Sequence, residues 1–158
     1  MIVGNGHHAI IEHVIASVRV VTNRGVSLEL VRHRLCSVAQ ESSRYCNYGR
    51  KDMEFIRPVW WDCDDSEYTI MAQNRFLKSC QSAEYDYRYL LDCGWRPEQA
   101  REVLPNSLKT ELVMTANLRE WLHIFSLRTS ERAHPQMRAL MRSIQEGFRS
   151  DLPEVYGL

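Results

Sequence analysis

The segment VRHRLCSVAQESSRY, residues 31–45, sets Arg32, His33, Arg34 and Arg44 among the hydroxyls of Ser37, Ser42, Ser43 and Tyr45. Guanidinium groups recognise phosphate through paired N–H donors, and serine hydroxyls with turn amides complete such a pocket. The whole chain carries 20 basic and 20 acidic residues, a formal net charge of zero. The concentration of cations is therefore local. It points to a small phosphate-bearing ligand rather than a nucleic-acid backbone, whose binders leave a basic footprint. These residues define a class of ligand and no reaction.

Other groups capable of chemistry are easier to dismiss. His7, His8, Glu12 and His13 crowd the N-terminal region. However, the zinc motif H-x-x-E-H needs a histidine where Ala9 stands, and H-E-x-x-H is absent, so no metal is expected. Gly4, Gly6 and Gly25 form neither a P-loop nor a dinucleotide fingerprint. The five cysteines (Cys36, Cys46, Cys63, Cys80 and Cys93) are odd in number, and no pair has C-x-x-C spacing. They read as free thiols of a reducing compartment. Taken singly, Arg101 reads as a solvated surface charge and Asn117 as a helix cap. His123 reads as a satisfied histidine, and Arg128 as a cation at a helix C-terminus.

The elements that must position these groups follow from periodicity. VIASVRVVT, from Val14 to Thr22, alternates as a strand with Ser17 and Arg19 on one face. Asn23-Arg24-Gly25 reads as a turn, after which Ser27 caps a short helix, LELVRHR. Extended segments are expected at Arg44–Tyr48 and Glu54–Trp61. Ser66–Cys93 reads as a long helix with Ile70, Leu77, Cys80, Tyr87 and Leu91 on one stripe, stopped at Gly94. Pro97 opens a short helix, PEQAREVL. A strand is expected over Leu108–Ala116, with Lys109 and Glu111 on its polar face. A helix follows over Asn117–Arg128, burying Leu118, Leu122 and Phe125 and setting Arg119 and His123 on one face. In the last helix Met137, Leu140, Met141, Ile144 and Phe148 follow the 3.6-residue period, as a core or subunit-interface stripe does. The pattern is that of one mixed α+β domain. A chain of 158 residues is long enough to bury its core. No apolar run is long enough to span a membrane, and MIVGNGHHAII lacks the basic region and apolar core of a signal peptide.

Arg32-His33-Arg34, seven intervening residues and then Ser42 resembles the signature of the flavin-dependent thymidylate synthases. Further segments are similar to that family in the same order: GHHAIIEH at 6–13, AREVLP at 100–105, NLREWLHIFSLR at 117–128 and AHPQMR at 133–138. Nearly the whole chain is covered. The resemblance implies a single α+β domain over residues 1–158, an antiparallel sheet with packed helices. The chain begins almost at the Gly-His segment, so it is N-terminally short relative to the family.

The activity implied is methylation of dUMP to dTMP, with methylenetetrahydrofolate as one-carbon donor, FAD as cofactor and NADPH as reductant. A cytoplasmic homotetramer with shared active sites is also implied, with no nucleic-acid or membrane partner. Carried over residue by residue, FAD falls to His7, Ala9, Arg32, His33, Arg34, Gln40, Asn117, Leu118, Arg119 and His123. The nucleotide dUMP falls to Glu29, Leu30, Val31, Arg32, Gln40, Glu41, Ser42, Ser43, Arg44, Arg101 and Arg128. Ser42, Ser43 and Arg44 would hold the phosphate, and Arg128 would be the catalytic residue, lying against the uracil. Ala9 stands where the family often has a hydroxyl, leaving only a backbone contact. Glu29 stands at a position typically glutamine, and an acid there repels an anionic ring unless paired. A flavin- and nucleotide-binding protein of the same fold, without turnover, is the alternative. An RNA-binding module is disfavoured by the zero net charge and the lack of an aromatic-basic motif.

Overall fold

The computed structural model describes residues 5–46, 48 and 52–156. Gly4 and Asn47 lie outside these. The order of elements is a 3₁₀ turn at His8–His13, β1 (Ile15–Asn23), α1 (Arg24–Leu30), β2 (Ser37–Gln40) and α2 (Glu67–Asp92). Then come α3 (Pro97–Ala100), a 3₁₀ turn at Arg101–Val103, β3 (Lys109–Asn117), α4 (Leu118–Arg128), α5 (Pro135–Asp151) and α6 (Pro153–Tyr156). The strands form one sheet in the order β1-β3-β2. The pairing of β1 with β3 is antiparallel. Leu118 N donates to Val14 O at 3.0 Å, the hydroxyls of Ser17 and Thr115 meet at 2.7 Å, and Arg24 N donates to Leu108 O at 3.0 Å. One strand thus ascends as the other descends. The fold is α+β, as the sequence implies.

The chain packs as two compact units. Unit 1 comprises residues 1–19, 30–38 and 113–158, and unit 2 comprises 20–29 and 39–112. β1 and β3 give residues to both.

Unit 1 is built on α4 and α5. Asn117 caps α4 through a bond from Glu120 N to its Oδ1 at 2.9 Å. Pro135 starts α5, and the His134 side chain accepts from Gln136 N. Met137, Met141 and Phe148 of the expected α5 stripe are buried, with Leu140 and Ile144 partly so. They close an aromatic core of Trp121, Phe125, Phe148 and Tyr156, whose neighbouring rings sit 5.1–5.9 Å apart. Each such side chain, fully buried, contributes roughly 1.5–3 kcal/mol. The polar tips also find partners: Trp121 Nε1 donates to Ala16 O at 3.1 Å and Tyr156 Oη to Leu118 O at 2.8 Å.

Unit 2 is built around α2. Ser66 caps it by accepting from Thr69 N, and Gly94, at φ +89°, stops it. The expected stripe is only half realised. Cys80, Ala83 and Tyr87 are buried, whereas Ile70 and Leu77 remain about half exposed, at 50% and 48%. The core cluster of Met53, Tyr87, Ala100, Leu104 and Leu108, with Leu91 against it, meets only the later turns of the helix. The run at 23–30 also differs from expectation. Asn23 is not in a turn but caps α1, its Oδ1 accepting from Val26 N at 2.8 Å. Ser27 is therefore an interior helical residue bonded back to Arg24 O. With its cap four residues upstream of the expected one, the helix ends at Leu30 and releases the Arg-His-Arg run into turns.

Candidate functional site

In unit 1 the chain turns immediately after α1, with His33 N donating to Leu30 O at 3.1 Å. This tucks the His33 ring in at 8% exposure, while Val31, Arg32 and Arg34 are exposed and Leu30 is buried. Arg128 is the last residue of α4, where the helix dipole favours a cation. Its Nε donates to His33 Nε2 at 3.0 Å. A guanidinium has no acceptor, so Nε2 must be unprotonated and the neutral ring carries its proton on Nδ1. Burial, then the charge of Arg128 and that of His123, hold the imidazole below its ordinary value of 6.5.

The neighbouring candidates spread over the surface of the same unit. Arg119 and His123 are exposed, one helical turn apart. Arg119 also forms an ion pair with Glu12 of the 3₁₀ turn. His7 and Ala9 are exposed. The Asn117 side-chain oxygen is committed to its capping bond, and Leu118 is buried with its carbonyl taken by Tyr156. Among the described residues no group of three His, Cys, Asp or Glu is placed to hold a metal ion.

In unit 2 residues 43–45 form a turn, not the expected extended segment. Ser42 Oγ accepts from Arg44 N at 3.3 Å, and Ser42 O accepts from Tyr45 N and Cys46 N at 3.1 and 3.0 Å. A serine bonding its own downstream amide competes with extended backbone, which is why the strand reading fails here. Strand structure falls earlier, on β2. Arg101, in the 3₁₀ turn after α3, brings its Nη1 to Ser43 Oγ at 3.2 Å. Arg44 is paired loosely with Glu98 at 3.8 Å and lies 5.6 Å from the Tyr45 ring centroid. Two cations, two serine hydroxyls and a turn thus share one surface of unit 2, a donor set suited to a phosphate.

Two predicted contacts point elsewhere. Gln40 Nε2 donates to the hydroxyls of buried Ser27 and Thr110, at 3.0 and 3.1 Å, which makes it a clamp on the sheet. Glu41 accepts from Cys46 Sγ at 3.1 Å and lines a cavity of about 350 Å³ with Tyr48, Asp52, Glu54, Leu108, Lys109 and Glu111. Four carboxylates around one cavity repel an anion, and the one cation among the described lining residues, Lys109, is paired with Glu54 and Glu111. Glu29 is half-buried in α1 and already engaged. The supporting residues Ser27, Thr110, Glu12 and Glu98 were missed in the sequence. Each lies at least 13 residues from its partner, so no local motif marks the pairing.

The profile of the family described as "Thymidylate synthase complementing protein" matches residues 1–154. The chain belongs to this family. Among curated relatives, a Geobacter sulfurreducens protein named flavin-dependent thymidylate synthase is 37% identical over 152 residues, covering 96% of this chain and 63% of its own length. Proteins of the same name from Corynebacterium efficiens and Kosmotoga olearia are 32% and 31% identical, covering 96% of this chain and 64% and 70% of their own lengths. The chain thus spans a little under two thirds of the Geobacter and Corynebacterium proteins.

All the candidate residues fall within the stretch matched to the thymidylate synthase complementing family. Cys36, beside the Arg-His-Arg run, is no activated thiolate. Burial, and then the charge of Glu120, push the Cys36 thiol up to about 11, so it is neutral near pH 7. Cys80 is buried, and Cys46 donates to Glu41. Among the described residues no helix is long and apolar enough to cross a membrane.

Proposed function

We propose that this chain carries the site of a flavin-dependent thymidylate synthase, which methylates dUMP to dTMP with methylenetetrahydrofolate as one-carbon donor and NADPH as reductant. The observation that carries the reading is the family match over residues 1–154, together with two separate donor sets of the kind the reaction needs. The cations and imidazoles of unit 1 (Arg32, Arg34, Arg119, His123 and His7) are exposed, and that donor set fits the pyrophosphate of FAD. Those residues would hold it, with Ala9, His33, Asn117 and Leu118 alongside. When bound, FAD supplies the relay of one-carbon unit and reducing equivalents between folate and nucleotide.

This chain's own residues bind and polarise. Ser42, Ser43, Arg44 and Arg101 hold the dUMP phosphate by charge-assisted bonds. Arg128 lies against the uracil, where a permanent positive charge favours negative charge on the ring and makes C5 nucleophilic. That activation needs no thiolate, which agrees with the raised Cys36 thiol. Glu29, Leu30, Val31, Arg32, Gln40 and Glu41 line the nucleotide, Gln40 reaching the flavin as well. Gln40 and Glu41 contribute through backbone, since their side chains are otherwise engaged. The protein works as a cytoplasmic homotetramer whose sites take Arg44 from one copy and Arg128 from another.

One observation favours a second reading, a flavin- and nucleotide-binding protein without turnover. On the assignment proposed here, Glu29 would put a carboxylate where the ring gathers negative charge. An anaerobic assay with dUMP, methylenetetrahydrofolate, NADPH and added FAD decides between them. Formation of dTMP coupled to NADPH oxidation supports the synthase. Flavin and dUMP binding without dTMP supports the second reading, and absence of flavin binding refutes both.

A further inference from the structure

Two observations in unit 1 remain without a role in that reading. His33 is the most buried member of the Arg-His-Arg run, and its bond is made to Arg128 on α4, 95 residues away in sequence. A guanidinium Nε carries one N–H directed in the plane of the group. Holding that N–H fixes the rotation of the plane about the Cδ–Nε bond, and so fixes where the two terminal nitrogens point. We propose that His33 is a positioning residue for Arg128, its unprotonated Nε2 setting the plane of the guanidinium. The inference rests on the reading of Arg128 as the charge against the pyrimidine. It assigns His33 a task distinct from contact with the flavin. The backbone bond from His33 N to Leu30 O fixes the ring's entry from the α1 side, and the aromatic core beneath α4 fixes Arg128 from the other. The charged groups acting on the ring are Arg128 and His123, both on α4. Protonating Nε2 would set two donors face to face among them, so the support fails as pH falls.

The test uses the full chain with ¹⁵N-labelled histidine and arginine. At pH 7.5, without ligands, His33 should show a bare Nε2, an Nδ1–H tautomer and coupling to the Arg128 Nε–H. A protonated Nε2 or absent coupling overturns the proposal. His33→Gln keeps an acceptor oxygen near Nε2 but does not titrate. Its kcat should stand well above that of His33→Leu, a partial rescue by the retained acceptor, and lose the acid limb of its pH profile. His33→Leu should lose roughly 10²-fold in kcat at unchanged KM for dUMP, as a mispositioned group does. If His33→Leu fails to fold, the tautomer and the His33→Gln profile decide alone. A bare Nε2 and intact coupling in a protein that makes no dTMP would refute the synthase reading and leave the positioning bond standing. An active enzyme in which His33→Gln keeps the acid limb would do the reverse.

Discussion

The two units hold their candidate residues in opposite ways. In unit 1, His33 is buried and Arg128 extends from a helix whose inner face is locked by Trp121, Phe125, Phe148 and Tyr156. In unit 2, Ser42, Ser43 and Arg44 sit on a short turn, and among the described residues the Arg44 guanidinium meets a loose, exposed ion pair and the exposed Tyr45 ring. Such a pair is worth about 0–1 kcal/mol, so little energy fixes that side chain before an anion arrives. The helices differ too. α4 buries five of its 11 residues, whereas α2 buries three of 26 and leaves Tyr68 84% and Met71 60% exposed. A group that must polarise a ring needs fixed geometry. A group that captures a phosphate can close on it, which is why binding residues so often lie on loops over a rigid scaffold.

The largest expected effect breaks the fixed half. Arg128→Ala should lower kcat by about 10²–10³-fold, as loss of an oxyanion-type donor does, with dUMP binding nearly unchanged. Steady-state kinetics alongside calorimetry separates the two, and a loss confined to binding would contradict the assignment.

In the adaptable half the loss should fall on affinity. A charge-assisted hydrogen bond is worth about 1.5–3 kcal/mol, so deoxyuridine should bind at least tenfold more weakly than dUMP, and Arg44→Ala should narrow that gap. Equal binding of the two ligands by calorimetry would remove the phosphate clamp. Hybrid tetramers of Arg44→Ala with Arg128→Ala should regain activity in about a quarter of their sites if the two residues come from different copies. No recovery in verified hybrids counts against shared sites.

A third contrast is in pH. The folded-state pKa of His33 lies below the ordinary 6.5, so in acid the unfolded chain binds a proton the folded one does not. Stability is whole above about pH 6.5 and declines as pH falls from there towards the depressed value. Urea denaturation at pH 7.5 and 5.5 should show this decline, smaller in His33→Gln. An identical decline in both would assign it to other groups.

The smallest effect compares two tyrosines. Tyr156→Phe removes the bond to Leu118 O in unit 1 and should cost about 0.5–1.5 kcal/mol. In unit 2 the buried Tyr87 hydroxyl has no hydrogen-bond partner among the described residues. Tyr87→Phe should therefore be neutral or stabilising by up to about 1 kcal/mol. Thermal melts of both variants check the pair, and a larger loss for Tyr87→Phe would reverse the contrast.

Much of this was legible in the chain. The strand at 109–117, the capping role of Asn117, the α5 stripe and the Gly94 stop were all readable, because each depends on a local period or a residue's own backbone preference. The errors came where two local rules competed. Asn23 is a turn former and a helix cap, and only the bond to Val26 N distinguishes them. Arg44 and Tyr45 resemble strand sequence until the Ser42 hydroxyl takes the Arg44 amide. The α2 stripe ran past the end of the core because periodicity tells which face of a helix is apolar, never how far the neighbouring layer extends.

The sequence by itself determined the α+β element pattern, the family and the residue types available for an anion, since these reside in motif, period and composition. Only the tertiary structure decided which groups meet. It turned Gln40 and Glu41 away to a sheet clamp and an acidic cavity, brought Arg101 to Ser43, and set His33 beneath Arg128. Such pairings join positions 58 and 95 residues apart, and their energy exists only after burial has brought the partners together and removed competing water.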